Sequence, residues 1–260
     1  MKESRQKFIK KISELTADNP AFIHLDMLGL TKLAKDNESR LSEFSSLLSD
    51  IENEGGNICI PSYSLSYTRK EDYDLINTPV VNAGIVSEFI RQRYTGKRTV
   101  DALFSYIVLG NKISGRHFEI SDYDSFGRGS LIEEVFEKDG YIWTIGGVFK
   151  NSTEIHFIEK ELKVNYREDK VFSGNIIDAE GKRYHQNVTF FCKNFDYRYW
   201  YDFKGVENDM RSDGMMEVIK QEGYPLFVSG VKFRTLFDYL KKKVDSDSKY
   251  ICRNLHFKDS

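Results

Sequence analysis

Hydrophobic and polar positions alternate along the N-terminal part of the chain with two different periods. Apolar residues recur every three to four positions over residues 1–16 and 36–54, which predicts amphipathic helices, and the glycine pair at 55–56 predicts the end of the second helix. Short apolar runs at 21–27 and 57–61 predict strands. A strand, a helix and a strand in this order form the βαβ unit of a parallel sheet covered by helices.

The remainder of the chain repeats these patterns and adds a third. Short runs of alternating apolar and polar residues over 164–195 predict an antiparallel β-rich insertion in the C-terminal half. The fold class is therefore predicted as a single mixed α/β domain over 1–260, with a largely parallel central sheet flanked by helices. The other predicted elements are helices at 82–93, 130–138 and 233–243 and strands at 141–145 and 224–230.

Composition excludes several classes of protein. The 260 residues include 38 basic and 40 acidic side chains, with a net charge of −2 and 40% apolar residues, which is typical of a globular protein. A dedicated nucleic-acid binder would carry a clustered basic excess. The first ten residues are charged where a signal peptide is apolar, and no segment approaches the ~18 apolar residues of a membrane span. We therefore expect a cytoplasmic protein without membrane insertion.

The three cysteines are scattered along the chain, at Cys59, Cys192 and Cys252. Their number is odd, and no close pair forms a zinc knuckle or a redox motif. We expect them to be reduced and buried.

The most informative junction for chemistry lies within residues 143–159. A predicted strand ends at the glycine pair 146–147, and a helix follows for which Asn151, Ser152 or Thr153 can supply the N-terminal cap. In open α/β sheets, ligands bind where strands end and helices begin. This junction is therefore the first candidate for a functional site.

His156 lies in the first turn of that predicted helix, with Thr153 three residues before it and Glu159 three after, on the same flank. The positive end of the helix dipole disfavours a charged imidazole, so His156 is expected to be neutral and able to accept a proton. Glu159 can orient the ring or stabilise the imidazolium. The alternative is a structural histidine. We expect no metal, because His156 and Glu159 would need further ligands and no second cluster has ligand spacing.

The order of short motifs along residues 20–165 makes the chain similar to a known family. The matching positions are the segments 22–26, 61–64, 73–74, 78–79, 88–89, 98–99 and 126–127, together with Gly84, Arg91, Ser105, Gly110, Ser130, Gly146, Thr153, His156 and Glu159. In this order they resemble the aminoglycoside 3-N-acetyltransferase family, that is, antibiotic N-acetyltransferase-like proteins. The resemblance implies acyl transfer from acetyl-coenzyme A, or another acyl-coenzyme A, to an amine without a metal, with His156 as general base.

Further roles follow from the same resemblance. Thr153 is expected to donate a hydrogen bond to the oxyanion or the thioester carbonyl, with a plain helix cap as the alternative. Asp26 and Asp101 either attract the substrate ammonium or cap helices, and Lys32 and Lys35 either meet coenzyme A phosphates or are solvated surface lysines. The expected substrate-binding residues are Asp26, Tyr63, Arg98 and Asp101, and the expected cofactor-binding residues are His24, Lys32, Lys35, Ser105 and Phe126.

The chain also departs from the family pattern. Residues 98–102 read RTVDA where antibiotic-modifying members carry Arg-Ser-x-His-Pro, and the loop after the first strand lacks a Gly-Gly pair. These differences favour an amino sugar of a cell-surface polysaccharide pathway, or one carried on a nucleotide, as the substrate.

Three functions remain open: an amino-sugar N-acyltransferase, an aminoglycoside resistance enzyme, and a non-catalytic homologue that binds coenzyme A or a sugar. A homodimer is also open. The aromatic segment 196–203 either stacks on a sugar or base or packs as a strand edge.

Overall fold

The protein is described by a computed structural model that covers residues 2–146 and 152–257. Helices and strands alternate along most of the chain. The helices are α1 (Lys2–Thr16), α2 (Asn37–Asn53), α3 (Gly84–Arg93), α4 (Leu131–Glu137), α5 (Ile155–Glu161), α6 (Phe203–Ser212) and α7 (Phe233–Ser246). The strands are β1 (Ala21–Leu25), β2 (Ile58–Pro61), β3 (Tyr73–Asp74), β4 (Tyr106–Leu109), β5 (Tyr123–Asp124), β6 (Tyr141–Ile145), β7 (Arg167–Ile177), β8 (Arg183–Lys193), β9 (Tyr197–Tyr201), β10 (Glu217–Lys220), β11 (Phe227–Lys232) and β12 (Cys252–Phe257).

The central sheet has the strand order β10-β11-β6-β1-β2-β4. Its centre is parallel, since β1 pairs in parallel with both β2 and β6, and antiparallel strands extend both edges. Helix α2 connects β1 to β2, as the βαβ pattern predicts. The predicted mixed α/β fold with a parallel centre is confirmed.

The central strands are apolar because both faces of the sheet are buried. Successive residues of β1 and β6 pack on opposite faces: Phe22 and Ile142 join one core, and Ile23 and Trp143 join the other. The second core is completed by α1, α2 and α3, and the first by α4, α5, α7 and the strands that follow α5. Covering helices on both sides explain the near-continuous hydrophobic runs.

A second sheet, with the order β3-β7-β8-β5, lies in the region predicted as an antiparallel insertion. Strands β7 and β8 form a long antiparallel hairpin in which Arg167 pairs with Lys193 and Ile177 pairs with Arg183. Strands β9 and β12 form a separate antiparallel ribbon. The antiparallel character predicted over 164–195 is confirmed.

Several predicted boundaries are corrected. The strand predicted over 21–27 ends at Leu25, because the Asp26 carboxylate accepts a hydrogen bond from the Leu28 amide and caps a short 3-10 helix. The strand predicted over 224–230 spans Phe227–Lys232, and the helix predicted from residue 82 begins at Gly84. Strands β3, β4, β5, β10 and β12 and helix α6 were not predicted, whereas β9 falls in the segment 196–203, for which a strand edge was one of two alternatives.

Two expectations from the sequence concern the cysteines and membrane-spanning segments. Cys59, Cys192 and Cys252 are free and buried, as predicted. Of the helices within the described ranges, none is long and apolar enough to cross a membrane.

The end of β6 touches the loop that follows β1. The Asp26 amide donates to the Ile145 carbonyl at 3.1 Å, and Gly146 has φ +68°. A Cβ at Gly146 would lie 2.0 Å from the Gly29 Cα, closer than any real contact. The two backbones can approach this closely only because both residues are glycines. Their contact sets where the chain leaves the sheet on its way to α5.

Replacing Gly146 with alanine tests this contact. Gly146→Ala is expected to lower the free energy of unfolding by about 2–4 kcal/mol, because the left-handed backbone and the overlap with Gly29 are both unfavourable. Urea denaturation measures the change. Gly96→Ala is the matched control, since its Cβ would meet nothing within 4 Å. A Gly146→Ala protein as stable as Gly96→Ala would contradict the assignment.

Candidate active site

Helix α5 begins without a side-chain cap. Its N-cap residue is Glu154, which makes no capping hydrogen bond through its side chain. Asn151, one of the predicted caps, lies outside the described residues, as does Gly147 of the predicted glycine pair. Ser152 Oγ is buried and has no partner within the described part of the chain, and the Thr153 hydroxyl bonds to the Tyr63 hydroxyl. The prediction of a Ser152 or Thr153 cap is wrong, because tertiary contacts redirect the Thr153 side chain.

His156 and Glu159 form a close pair on α5. Nδ1 of His156 lies 2.7 Å from Oε2 of Glu159, the separation of a charge-assisted hydrogen bond. The pair follows from helix geometry, which places residues three apart on one flank. Because an ionised carboxylate only accepts, Nδ1 carries the proton and the Nε2 lone pair is available. Within the described ranges, no residue bonds to Nε2.

Glu159 is fully buried, and residues from outside α5 satisfy it. The Tyr166 hydroxyl donates to Oε1 at 2.9 Å, and the Tyr201 hydroxyl donates to Oε2 at 3.2 Å. The Arg167 guanidinium lies 3.7 Å from Oε2. A buried carboxylate is stable only with such partners. Donors on β7, on β9 and in the loop before β7 therefore hold the Glu159 carboxylate in one orientation. Glu159 in turn holds the His156 ring.

The surroundings of His156 favour the neutral imidazole. Burial lowers the pKa of His156, and the positive charge of Arg167 lowers it further, while Glu159 acts in the opposite direction. The edge of the Phe126 ring packs against the imidazole with centroids 5.4 Å apart, and the Tyr201 ring lies 5.8 Å away. His156 is thus a neutral, oriented imidazole, as a general base requires.

A second histidine–carboxylate pair lies just before α5. Nε2 of His24, on β1, is 2.8 Å from Oε2 of Glu154, and the Tyr106 hydroxyl donates to Oε1 at 2.9 Å. The Tyr106 oxygen is 3.1 Å from the Tyr63 oxygen, and Tyr63 in turn contacts Thr153. His24 and Glu154 are both buried. A continuous chain of polar groups therefore connects His24 on the central sheet to Thr153, two residues before α5.

A cavity of about 280 Å³ opens beside this chain. The end of β1, the end of β2 and the first turn of α3 surround it. Its lining includes His24, Asp26 and Tyr63, three of the residues that the resemblance implied. The Asp26 carboxylate also caps the 3-10 helix, so the capping role considered for it is real.

Other implied residues are structural. Arg98 is buried and donates to the Ser62 and Thr78 carbonyls at 2.7 and 2.6 Å, and its Nε also bonds to Ser105 Oγ. Ser105 is fully buried and donates to the same Ser62 carbonyl. Because these hydrogen bonds hold loops together, Arg98 and Ser105 have structural roles. The expected substrate contact of Arg98 and cofactor contact of Ser105 are corrected accordingly.

Asp101 and Phe126 also have structural roles, so the expected substrate contact of Asp101 and cofactor contact of Phe126 are corrected. The Asp101 carboxylate accepts from the Leu103 and Phe104 amides at 2.9 and 3.0 Å, and burial raises its pKa to about 6. Phe126 is fully buried, and its ring packs against the His156 imidazole. Lys32 and Lys35 are exposed on the loop after β1, where either a phosphate or solvent can meet them.

Five residues of the site were missed by the sequence reasoning: Glu154, Tyr106, Tyr166, Arg167 and Tyr201. Of these, only Tyr201 had a signal, as part of the aromatic segment 196–203. In the structure that segment is largely strand β9, with Tyr201 against His156 and Trp200 exposed. No group of three potential metal ligands occurs in residues 2–146 and 152–257.

Three solved structures share this fold at low sequence identity. The AAC(3)-IVa apoenzyme, an aminoglycoside acetyltransferase, is 18% identical with a TM-score of 0.63, over 94% of this chain and 89% of that one. YokD from Bacillus subtilis is 18% identical with a TM-score of 0.66, covering 95% and 94%. The binary complex of AAC-IIIb with CoASH is 13% identical with a TM-score of 0.69, covering 93% and 96%. No curated protein matches significantly.

The family model described as aminoglycoside 3-N-acetyltransferase matches residues 23–243. This range contains the sheet centre, His156 and Glu159, and it confirms the resemblance seen in the motif order. The chain therefore belongs to the aminoglycoside 3-N-acetyltransferase family, and it is an N-acetyltransferase with acetyl-coenzyme A as co-substrate.

Proposed function

We propose that the protein transfers the acetyl group of acetyl-coenzyme A to the amino group of an amino sugar, with His156 as general base. The observation that carries this proposal is the 2.7 Å contact between His156 Nδ1 and the buried Glu159 carboxylate. Because this contact engages Nδ1, the free lone pair of the neutral imidazole is on Nε2.

The reaction needs few groups. His156 Nε2 takes a proton as the substrate nitrogen bonds to the thioester carbon, and Glu159 stabilises the imidazolium that forms. The tetrahedral intermediate then breaks its carbon–sulfur bond, and the imidazolium returns the proton to the leaving thiolate. General base assistance of this kind contributes typically ~100-fold to 10,000-fold. No acyl-enzyme is required, in keeping with the burial of Cys59.

The cavity beside His24 suits part of coenzyme A. The exposed apolar side chain of Ile85 is part of its lining, together with Met27, and both match a pantetheine arm. Helix α3 begins there without a side-chain cap, so its first amides favour an anionic group. Lys32 and Lys35 are close in sequence to the end of β1 and can reach phosphates.

A groove along β9 supports an anionic, sugar-linked substrate. The groove has a volume of about 520 Å³ and lies on the strand whose last residue, Tyr201, touches His156. Its described lining holds Lys193, Arg198 and His256 beside aromatic rings, with no carboxylate. Aromatic faces stack on sugars and bases, and cations favour phosphates over a polycationic antibiotic. We therefore favour a nucleotide-linked amino sugar.

An aminoglycoside is the second candidate, supported by the family itself and by related structures solved with gentamicin and sisomicin. Thiol release from acetyl-coenzyme A with both substrate classes distinguishes the two. Faster acetylation of nucleoside-diphosphate amino sugars supports the proposal, and acetylation of aminoglycosides alone overturns the substrate assignment.

His156→Asn tests the general base. We expect kcat to fall by about 100-fold to 10,000-fold, because the variant loses the proposed general base. His185→Asn, on the exposed β7–β8 hairpin, is the matched control and should retain wild-type turnover. Near-full activity of His156→Asn in the thiol-release assay would remove His156 from the mechanism.

The pH profile tests the coupling of His156 to Glu159. Because the pKa of His156 is lowered, kcat measured at saturating amine should fall only as the pH drops below about 6.5, the ordinary histidine value. Glu159→Gln removes the charge that opposes this lowering, so the acid limb should move to still lower pH while the plateau rate falls. An unchanged acid limb in a folded Glu159→Gln protein would contradict the coupling.

A further inference from the structure

The polar chain between His24 and Thr153 contains one group that can only accept hydrogen bonds. This group is the Glu154 carboxylate, which receives His24 Nε2 on one oxygen and the Tyr106 hydroxyl on the other. Each hydroxyl further along the chain carries a single proton. The direction of every hydrogen bond can therefore be worked out from Glu154 outward.

Tyr106 uses its proton on Glu154, so its oxygen must accept the proton of Tyr63 across their 3.1 Å contact. Tyr63 has then used its own proton, and its oxygen must accept from the Thr153 hydroxyl. Every hydroxyl thus donates toward Glu154. The proton of Thr153 is thus engaged by Tyr63, and the Thr153 oxygen keeps lone pairs that can accept a hydrogen bond.

This direction reverses the role expected for Thr153. A hydroxyl whose proton is engaged cannot donate to an oxyanion, but it can accept from an N–H group. Thr153 is only partly buried and lies one turn before His156, whose amide donates to the Thr153 carbonyl at 3.0 Å. A neutral primary amine has two N–H protons, one for His156 Nε2 and one for Thr153 Oγ, with its lone pair left to attack.

We propose that Glu154 is a positioning residue that acts through Tyr106 and Tyr63 to make the Thr153 hydroxyl an acceptor for the attacking amine. The proposal rests on the proposed acetyl transfer to an amine, and it does not depend on whether that amine is an amino sugar or an aminoglycoside. It assigns substrate orientation to a carboxylate that itself touches no substrate.

Steady-state kinetics with the best amine acceptor of the wild type test the proposal. Thr153→Val should raise the KM of the amine about 3-fold to 10-fold and leave the KM of acetyl-coenzyme A unchanged, the effect of one lost hydrogen bond. Thr153→Ser, which keeps the hydroxyl, should restore the wild-type value. Had Thr153 stabilised the oxyanion, Thr153→Val would lower kcat with both KM values unchanged, and that result overturns the proposal.

The chain itself is tested by a double-mutant cycle. Tyr106→Phe interrupts the chain without touching Thr153, and it should raise the amine KM by a similar factor. In the Thr153→Val background, Tyr106→Phe should have no further effect, because the hydroxyl that it orients is absent. Independent, multiplicative effects of the two changes would overturn the proposal. Glu154→Gln should reproduce the amine-specific change of Tyr106→Phe.

A third histidine–glutamate pair provides the matched control. His117 Nε2 lies 2.8 Å from Glu134 Oε2, and Glu134 accepts from the Ser114 amide away from α5. Glu134→Gln should destabilise the protein without altering the amine KM. Equal changes in the amine KM for Glu134→Gln and Glu154→Gln would mean that both residues act only through protein stability. That result would overturn the proposal. His156→Asn reports separately on the general base, so failure of the base and failure of the chain are distinguishable.

Discussion

The structure of the site depends on the burial of one charge, that of Glu159. A carboxylate without solvent is stable only when donors or positive charges surround it, and for Glu159 these are His156 on the same helix, Arg167 on β7 and Tyr201 on β9. These contacts join the second sheet and the β9 ribbon to α5. The same requirement orients the imidazole, so the stability of the fold and the tautomer of the base have one cause.

A second buried carboxylate, that of Glu154, lies two residues before His156 and has different partners. Glu154 accepts a hydrogen bond from one hydroxyl, that of Tyr106, and its other partner is His24 on β1. In the proposed mechanism, Glu159 acts on His156, the proton acceptor, whereas Glu154 acts through the Tyr106 and Tyr63 hydroxyls on Thr153, which would hold the nucleophile. Two carboxylates of the same type thus serve different steps because their surroundings differ.

The close contact of Gly29 with Gly146 joins these two systems to the sheet. It sets where the chain leaves β6, the last strand before α5. The cavity near β1 and His156 on α5 therefore lie toward a common edge of the sheet, the usual position of ligand sites in open α/β folds. Arg98 and Asp101 support this edge from inside, which explains why positions that match or replace family motifs are buried.

The central elements β1, α2, β2 and β6 could be predicted from the amino-acid order alone, because apolar runs buried on both sides leave an unmistakable pattern. The His156–Glu159 pair could be predicted as well, since residues three apart on a helix are neighbours wherever the helix lies. The role of Thr153 and the presence of Glu154 in the site depend instead on how the chain folds in three dimensions. Glu154 meets His24 across 130 residues and Tyr106 across 48, and no local periodicity records contacts at such separations.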